Sequence, residues 1–168
     1  MIVAMDTSVL VYLFDDQARP PRQPGSREPL AHCAARITHL VETLSTDDAR
    51  IVVPTPTLAE LMVREGPATG TIVEKLKRHS RVRIVGFDER AAVEFAATQA
   101  ERGRGRKRGQ TPRAKAKFDD QIVAIAAVEG ATRIYSDDRD IRKLAEGRFE
   151  VVGMFDLPLP PQGSLPFP

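Results

Sequence analysis

The chain has 168 residues, 42% of them hydrophobic and 29% charged, enough for one domain core and too apolar for disorder throughout. A single cysteine excludes an internal disulfide and a cysteine-rich zinc site, and the longest apolar run, Ile122 to Val128, falls far short of the ~20 residues that span a bilayer. The net charge of +2 combines two parts: a segment from Arg102 to Lys117 with eight bases and no acid, and a remainder with 17 bases against 23 acids.

Ile2-Val3-Ala4-Met5 is short and apolar and ends at Asp6-Thr7-Ser8, the pattern of a buried strand followed by a helix start. Asp6 also interrupts the apolar N-terminus, so no secretory signal is expected and a reducing cytoplasm is the natural location. Four prolines and a glycine between Asp15 and Pro29 predict a loop. From Leu30, the residues Cys33, Ala34, Ile37, Leu40, Val41 and Leu44 recur at helical spacing, which puts Cys33 on a core stripe as a structural thiol. Ile51-Val52-Val53 reads as a second strand closed by Pro54, with Thr55-Pro56 opening a helix over Thr57 to Glu65. A helix from Gly70 to His79 and a strand over Val82 to Val85 follow, and Asp88 then caps a helix carrying Ala91, Ala92, Phe95, Ala96 and Gln99.

Gly103, Gly105 and Gly109 predict a loop through the basic segment. Phe118 to Gly130 is the clearest helix; Ile122 to Val128 is apolar all round, and Asp119 and Asp120 are expected at its N-terminus, where carboxylates suit the helix dipole. Thr132 to Ser136 reads as a strand, Asp137-Asp138 as the opening of a helix to about Ala145, and Phe149 to Val152 as a last short strand. Strands alternating with helices predict an α/β fold with three layers and a mainly parallel sheet. The expected organisation is one domain over residues 1–152, with loop insertions at about 15–29 and 102–117, and a proline-rich tail over 153–168.

The acids fall at chemically pointed places: Asp6 after the first strand, Asp119 and Asp120 at a helix start, Asp137, Asp138 and Asp140 after another strand, and Glu60 within an apolar helical run. Singly, Asp6 and Asp138 suit helix caps and Glu60 suits an exposed helical face. Together, carboxylates meeting at one sheet edge repel and are driven towards protonation unless a cation neutralises them. All-oxygen ligation is the preference of Mg²⁺ or Mn²⁺, and His32, His39 and His79 lie far from these acids in sequence. Such ions activate water and stabilise the leaving oxygen of a phosphodiester. Arg104, Arg106, Lys107, Arg108, Arg113, Lys115 and Lys117 would then hold a polyanionic substrate, although a solvated loop is the alternative reading of that segment.

Met5-Asp6-Thr7-Ser8-Val9-Leu10, the Pro54 to Leu61 stretch with Glu60, Phe118-Asp119-Asp120-Gln121-Ile122-Val123-Ala124-Ile125-Ala126, and Ile134-Tyr135-Ser136-Asp137-Asp138-Arg139-Asp140-Ile141 resemble the four acidic motifs of PIN domains. They are most similar to the VapC-type toxins of toxin–antitoxin pairs, and the resemblance runs in order from Ile2 to about Val152. Asp119, with Ile122, Ala124, Ala126 and Gly130-Ala131 behind it, fits the third motif without a gap, whereas Asp120 needs a one-residue deletion.

The resemblance implies an Mg²⁺- or Mn²⁺-dependent endoribonuclease in which Asp6, Glu60, Asp119 and Asp138 hold the metal. Thr7, Ser8, Ser136, Asp120 and Asp140 would support them, with Asp137 as the helix cap. It further implies an RNA substrate, a small antitoxin as partner and a homodimer, with no membrane association. Two other classes compete. A PIN-like RNA-binding or interaction module without catalysis would bind RNA regardless of EDTA. A phosphotransferase of the haloacid-dehalogenase kind wants an Asp two residues after a nucleophilic Asp6, where this chain has Ser8.

Overall fold

A computed structural model describes residues 1–15, 17–22, 28–66, 69–103 and 113–161. Its strands are β1 (Ile2–Met5), β2 (Arg50–Pro54), β3 (Val82–Val85), β4 (Arg133–Tyr135) and β5 (Glu150–Val152). They form one sheet in the order β3-β2-β1-β4-β5, every neighbouring pair parallel. The helices are α1 (Thr7–Leu10), α2 (Cys33–Thr46), α3 (Thr55–Glu65), α4 (Thr69–Arg78), α5 (Glu89–Gly103), α6 (Arg113–Val128) and α7 (Arg139–Ala145). A 3-10 turn over Val11–Leu13 prolongs α1, and another over Met154–Asp156 follows β5.

Strand periodicity separates two cores. Val3, Met5, Ile51 and Val53 point to one face and pack with Leu10, Ile37, Leu40 and Leu76 from α1, α2 and α4. Ala4, Val52 and Ile134 point to the other and pack with Ala91, Ile122, Ile125 and Ile141 from α5, α6 and α7. Ile37, Ile125, Ile134 and Ile141 are wholly excluded from solvent, each burial contributing about 1.5–3 kcal/mol. The result is the three-layer α/β architecture expected from the alternation of elements. Gly130, at φ +72, ends α6 in the left-handed region that glycine adopts without strain.

The topology fixes where chemistry can gather. From β1 the chain moves outward through β2 to β3, then returns to place β4 on the other side of β1. The strand order therefore reverses between β1 and β4, and their C-terminal ends open a crevice there. Asp6 leaves β1 into that crevice, and Ser136-Asp137-Asp138 leaves β4 into it.

Three expectations change. The helix expected from Phe118 begins at Arg113, because Arg113-Ala114-Lys115-Ala116-Lys117 consists of strong helix formers with no glycine. Asp119 and Asp120 therefore lie about two turns inside α6 and do not cap it. Of the residues expected in a loop over 102–117, Arg102 and Gly103 instead close α5 and Arg113 to Lys117 open α6. Arg104, Arg106, Lys107 and Arg108 lie outside the described residues, as do 162–168 of the tail. The tail's beginning belongs to the fold: Met154 and Leu157 are buried in the first core, so the domain runs past residue 152. No described helix is long and apolar enough to cross a membrane.

Candidate metal centre at the sheet's switch point

Asp6 is held by backbone continuity on one side and by hydroxyls on the other. Its N–H donates to the Tyr135 carbonyl at 3.0 Å, so the β1–β4 ladder runs one step past β1 and brings Asp6 to the crevice. Its Oδ2 accepts from the Ser8 N–H at 3.3 Å as the cap of α1, from Ser8 Oγ at 2.7 Å and from Ser136 Oγ at 2.9 Å. The two hydroxyl oxygens are 3.4 Å apart, but each carries one proton and directs it at the carboxylate. Their lone pairs accept the Asp137 N–H at 2.9 Å (Ser8) and the Asp138 N–H at 3.0 Å (Ser136). Burial pushes the Asp6 carboxyl above the ordinary carboxylate range, and the bonds from Ser8 and Ser136 work against that rise. Thr7 donates its hydroxyl to the Thr57 carbonyl at 3.2 Å, which ties the end of β1 to the first turn of α3.

The carboxylates after β4 divide their labour. Asp138, with extended backbone, caps α7 and accepts the Asp140 N–H at 2.6 Å. Asp137, expected as that cap, turns away: its Oδ1 accepts the Met154 N–H at 2.8 Å and so cannot reach the α7 amides. Burial raises its pKa, opposed by the Met154 bond and by the nearby Arg142 charge.

Asp119, buried on α6, meets Asp138 and Asp140 at the start of α7; one oxygen from each lies within 4.8 Å of the others. Neighbouring ligand oxygens of octahedral Mg²⁺ stand about 3 Å apart at bond lengths of about 2.1 Å, so small side-chain rotations close this trio on one ion. The donors are all oxygen, with no imidazole or thiolate among them, which suits Mg²⁺ or Mn²⁺ better than zinc. The residues present therefore fit a hard divalent cation.

Asp6 lies outside this trio, joined to it through Ser136, whose hydroxyl touches both the Asp6 carboxylate and the Asp138 amide. Glu60 is exposed on α3 and also lies outside the trio among the described residues. Asp140, expected as a supporting carboxylate, is one of the three. Asp120 points elsewhere, accepting from Gln99 Nε2 at 2.5 Å and pairing with Arg102. Sequence reasoning missed the Arg102 contact; the signal available was the Gln99–Arg102 spacing, which puts both on one face of α5. Lys117 is exposed two residues before Asp119, and Arg113 and Lys115 fall in the first turns of α6.

Comparison with known proteins agrees with this architecture. The chain is similar in structure to VapBC2 from Rickettsia felis bound to a DNA fragment from its promoter, at 18% identity and a TM-score of 0.57, covering 91% of this chain and 98% of that one. VapBC-1 from nontypeable Haemophilus influenzae matches at 16% identity and a TM-score of 0.55, over 92% and 99% of the two chains. VapC20 of Mycobacterium tuberculosis, described as a sarcin–ricin loop cleaving toxin, matches at 14% identity and a TM-score of 0.53, over 84% and 93%. No curated protein sequence matches the chain. The family model for the PIN domain matches residues 3–147, nearly the whole described fold and every acid discussed above. The chain belongs to the PIN domain family.

Proposed function

We propose that this chain is a divalent-metal-dependent endoribonuclease and the toxin of a toxin–antitoxin pair. The observation that carries the reading is the meeting of Asp119, Asp138 and Asp140 at the β1/β4 switch point, in a PIN domain. These three would hold Mg²⁺ or Mn²⁺, with Asp6 and Glu60 as the further acids of the set. When bound, such an ion lowers the pKa of water and stabilises the departing oxygen of a phosphodiester. The chain's own residues supply the frame. Ser8 and Ser136 hold the Asp6 carboxylate in one orientation, and the Asp138 cap fixes the first turn of α7.

RNA as substrate is supported by the described activity of VapC20 and by the basic run ahead of Asp119, with Arg104, Arg106, Lys107, Arg108, Arg113, Lys115 and Lys117 as backbone contacts. An antitoxin partner is supported by the VapBC assemblies among the similar structures. An apolar groove of about 500 Å³ between α2 and α4, walled by Phe14, Val41 and Leu76, offers it a surface. Lys75 and Arg78 in its lining outnumber the one acid there, Glu42, which favours an amphipathic antitoxin segment with an acidic edge. The resemblance to VapC-type toxins extends the proposal to a homodimer in the cytoplasm.

The test is RNA hydrolysis by the purified chain with Mn²⁺, with EDTA, and with Asp119→Asn. Cleavage that needs Mn²⁺ and is lost in Asp119→Asn supports the proposal. Cleavage indifferent to EDTA and to the substitution overturns it, and RNA binding without any cleavage points to the non-catalytic module instead.

A further inference from the structure

We propose that Arg102 is a positioning residue for this metal centre: from α5 it sets the separation of α6, which carries Asp119, from α7, whose first turn carries Asp138 and Asp140. The inference rests on the metal-dependent reading above and adds to it the device that holds the two halves of the centre in register.

Asp119 and Asp120 are adjacent on α6. Consecutive residues on an α-helix project about 100° apart, so Asp119 and Asp120 cannot serve the same contact. Asp119 meets Asp138 and Asp140, while Asp120 faces α5. There its Oδ2 accepts from Gln99 Nε2 at 2.5 Å and its Oδ1 pairs with Arg102 Nη1. The other guanidinium nitrogen, Arg102 Nη2, donates to the Leu144 carbonyl at 3.2 Å. Leu144 is in the last turn of α7, where carbonyls have no partner within their own helix and the dipole favours a cation. One planar cation thus spans a carboxylate on α6 and a carbonyl on α7.

The side chains of Arg102 and Asp120 are 24% and 12% exposed, so the pair is shielded from bulk water more than a surface ion pair is. Helix α7 has seven residues, about two turns, and moves as one short rod. A shift at Leu144 is therefore passed to Asp138 and Asp140 at its other end. Arg148, just after α7, is tied to α5 in the same manner, pairing with Glu94 and donating to Thr98 Oγ1 at 3.2 Å. Lysine cannot replace Arg102 in this role, because a single ammonium lacks the fork that reaches two acceptors at a fixed spacing.

The experiment is calorimetric titration of Mn²⁺ into the full chain and into Arg102→Met, Arg102→Lys and Asp120→Asn, with thermal midpoints recorded alongside. Residues that orient metal ligands typically govern metal affinity by about 10–100-fold. About tenfold weaker Mn²⁺ binding is expected in Arg102→Met, with RNA hydrolysis regained at saturating Mn²⁺. Arg102→Lys should recover stability but not affinity. Lower midpoints with unchanged Mn²⁺ affinity in both Arg102→Met and Asp120→Asn would reduce the pair to a structural tie and overturn the proposal. If Arg102→Met does not fold, Arg102→Lys decides by the same criterion. Absence of Mn²⁺ binding in the parent chain would overturn the metal reading itself, and this proposal with it.

Discussion

Ser136 donates its hydroxyl to Asp6 Oδ2 at 2.9 Å, joining the ends of β1 and β4 across 130 positions of sequence. The same oxygen accepts the Asp138 N–H at 3.0 Å, so one hydroxyl secures a buried carboxylate and the start of α7 together. Replacing Ser136 with Ala leaves Asp6 one donor short and the Asp138 amide without its acceptor. The expected cost is about 1–3 kcal/mol, read by urea denaturation at neutral pH. A midpoint equal to the parent's would contradict the network as described.

Asp119→Asn should remove the chain's response to metal. Asp119, Asp138 and Asp140 each offer one oxygen within 4.8 Å of the others, and an amide in place of the first carboxylate weakens that set for a hard cation. Mn²⁺ at about 100 times its Kd should add about 2.7 kcal/mol to the parent's stability. The parent should gain stability when Mn²⁺ is added and the variant should not, since a ligand stabilises only the state that binds it. Equal Mn²⁺-induced shifts in the two would exclude Asp119 as a ligand.

Gly153 is needed for space. A Cβ at that position would stand 2.5 Å from Asp137 Oδ1, the oxygen that accepts the Met154 N–H at 2.8 Å. Gly153→Ala should displace the carboxylate and strip the Met154 amide of its partner, at about 1–3 kcal/mol. The loosened segment is the 3-10 turn Met154–Asp156, so amide exchange at Met154 should quicken more than exchange in β1. Unchanged protection at Met154 would count against this account.

Tyr12 predicts an alkaline signature. Burial, with nearby Cys33 and Asp137, pushes its hydroxyl up to about 12 from 10.0. The folded state then keeps a proton that the unfolded state releases, so stability falls as pH rises between those values, by on the order of 2 kcal/mol. Tyr12→Phe escapes that loss but forfeits the bond from Tyr12 Oη to the Arg19 carbonyl at 2.9 Å, about 1 kcal/mol at neutral pH. The parent should be the more stable at pH 7 and the less stable towards pH 12. Parallel stability curves would refute the shift.

Much of this fold was legible in local pattern. The alternation of Val3, Ala4 and Met5 between faces, the apolar girth of Ile122 to Val128 and the acids after β1 and β4 each follow from neighbours in sequence. What local pattern misjudged were boundaries with competing signals. The basic residues before Phe118 read as loop beside three glycines, yet their own helix propensity starts α6 at Arg113. Asp137 and Asp138 were interchangeable as caps until Met154, from beyond β5, claimed Asp137.

The sequence by itself determined the α/β class, the order of the four acidic stretches and the family they belong to, because these depend on residue type, spacing and chain order. Only the tertiary structure decided which carboxylates meet. Strand order places the ends of β1 and β4 side by side, and packing of α6 against α5 and α7 turns Asp119 towards Asp138 and Asp140 and Asp120 towards Arg102. The charge of +2 likewise reports composition alone, whereas the carboxylate trio arises from three side chains drawn from two helices whose packing no local pattern contains.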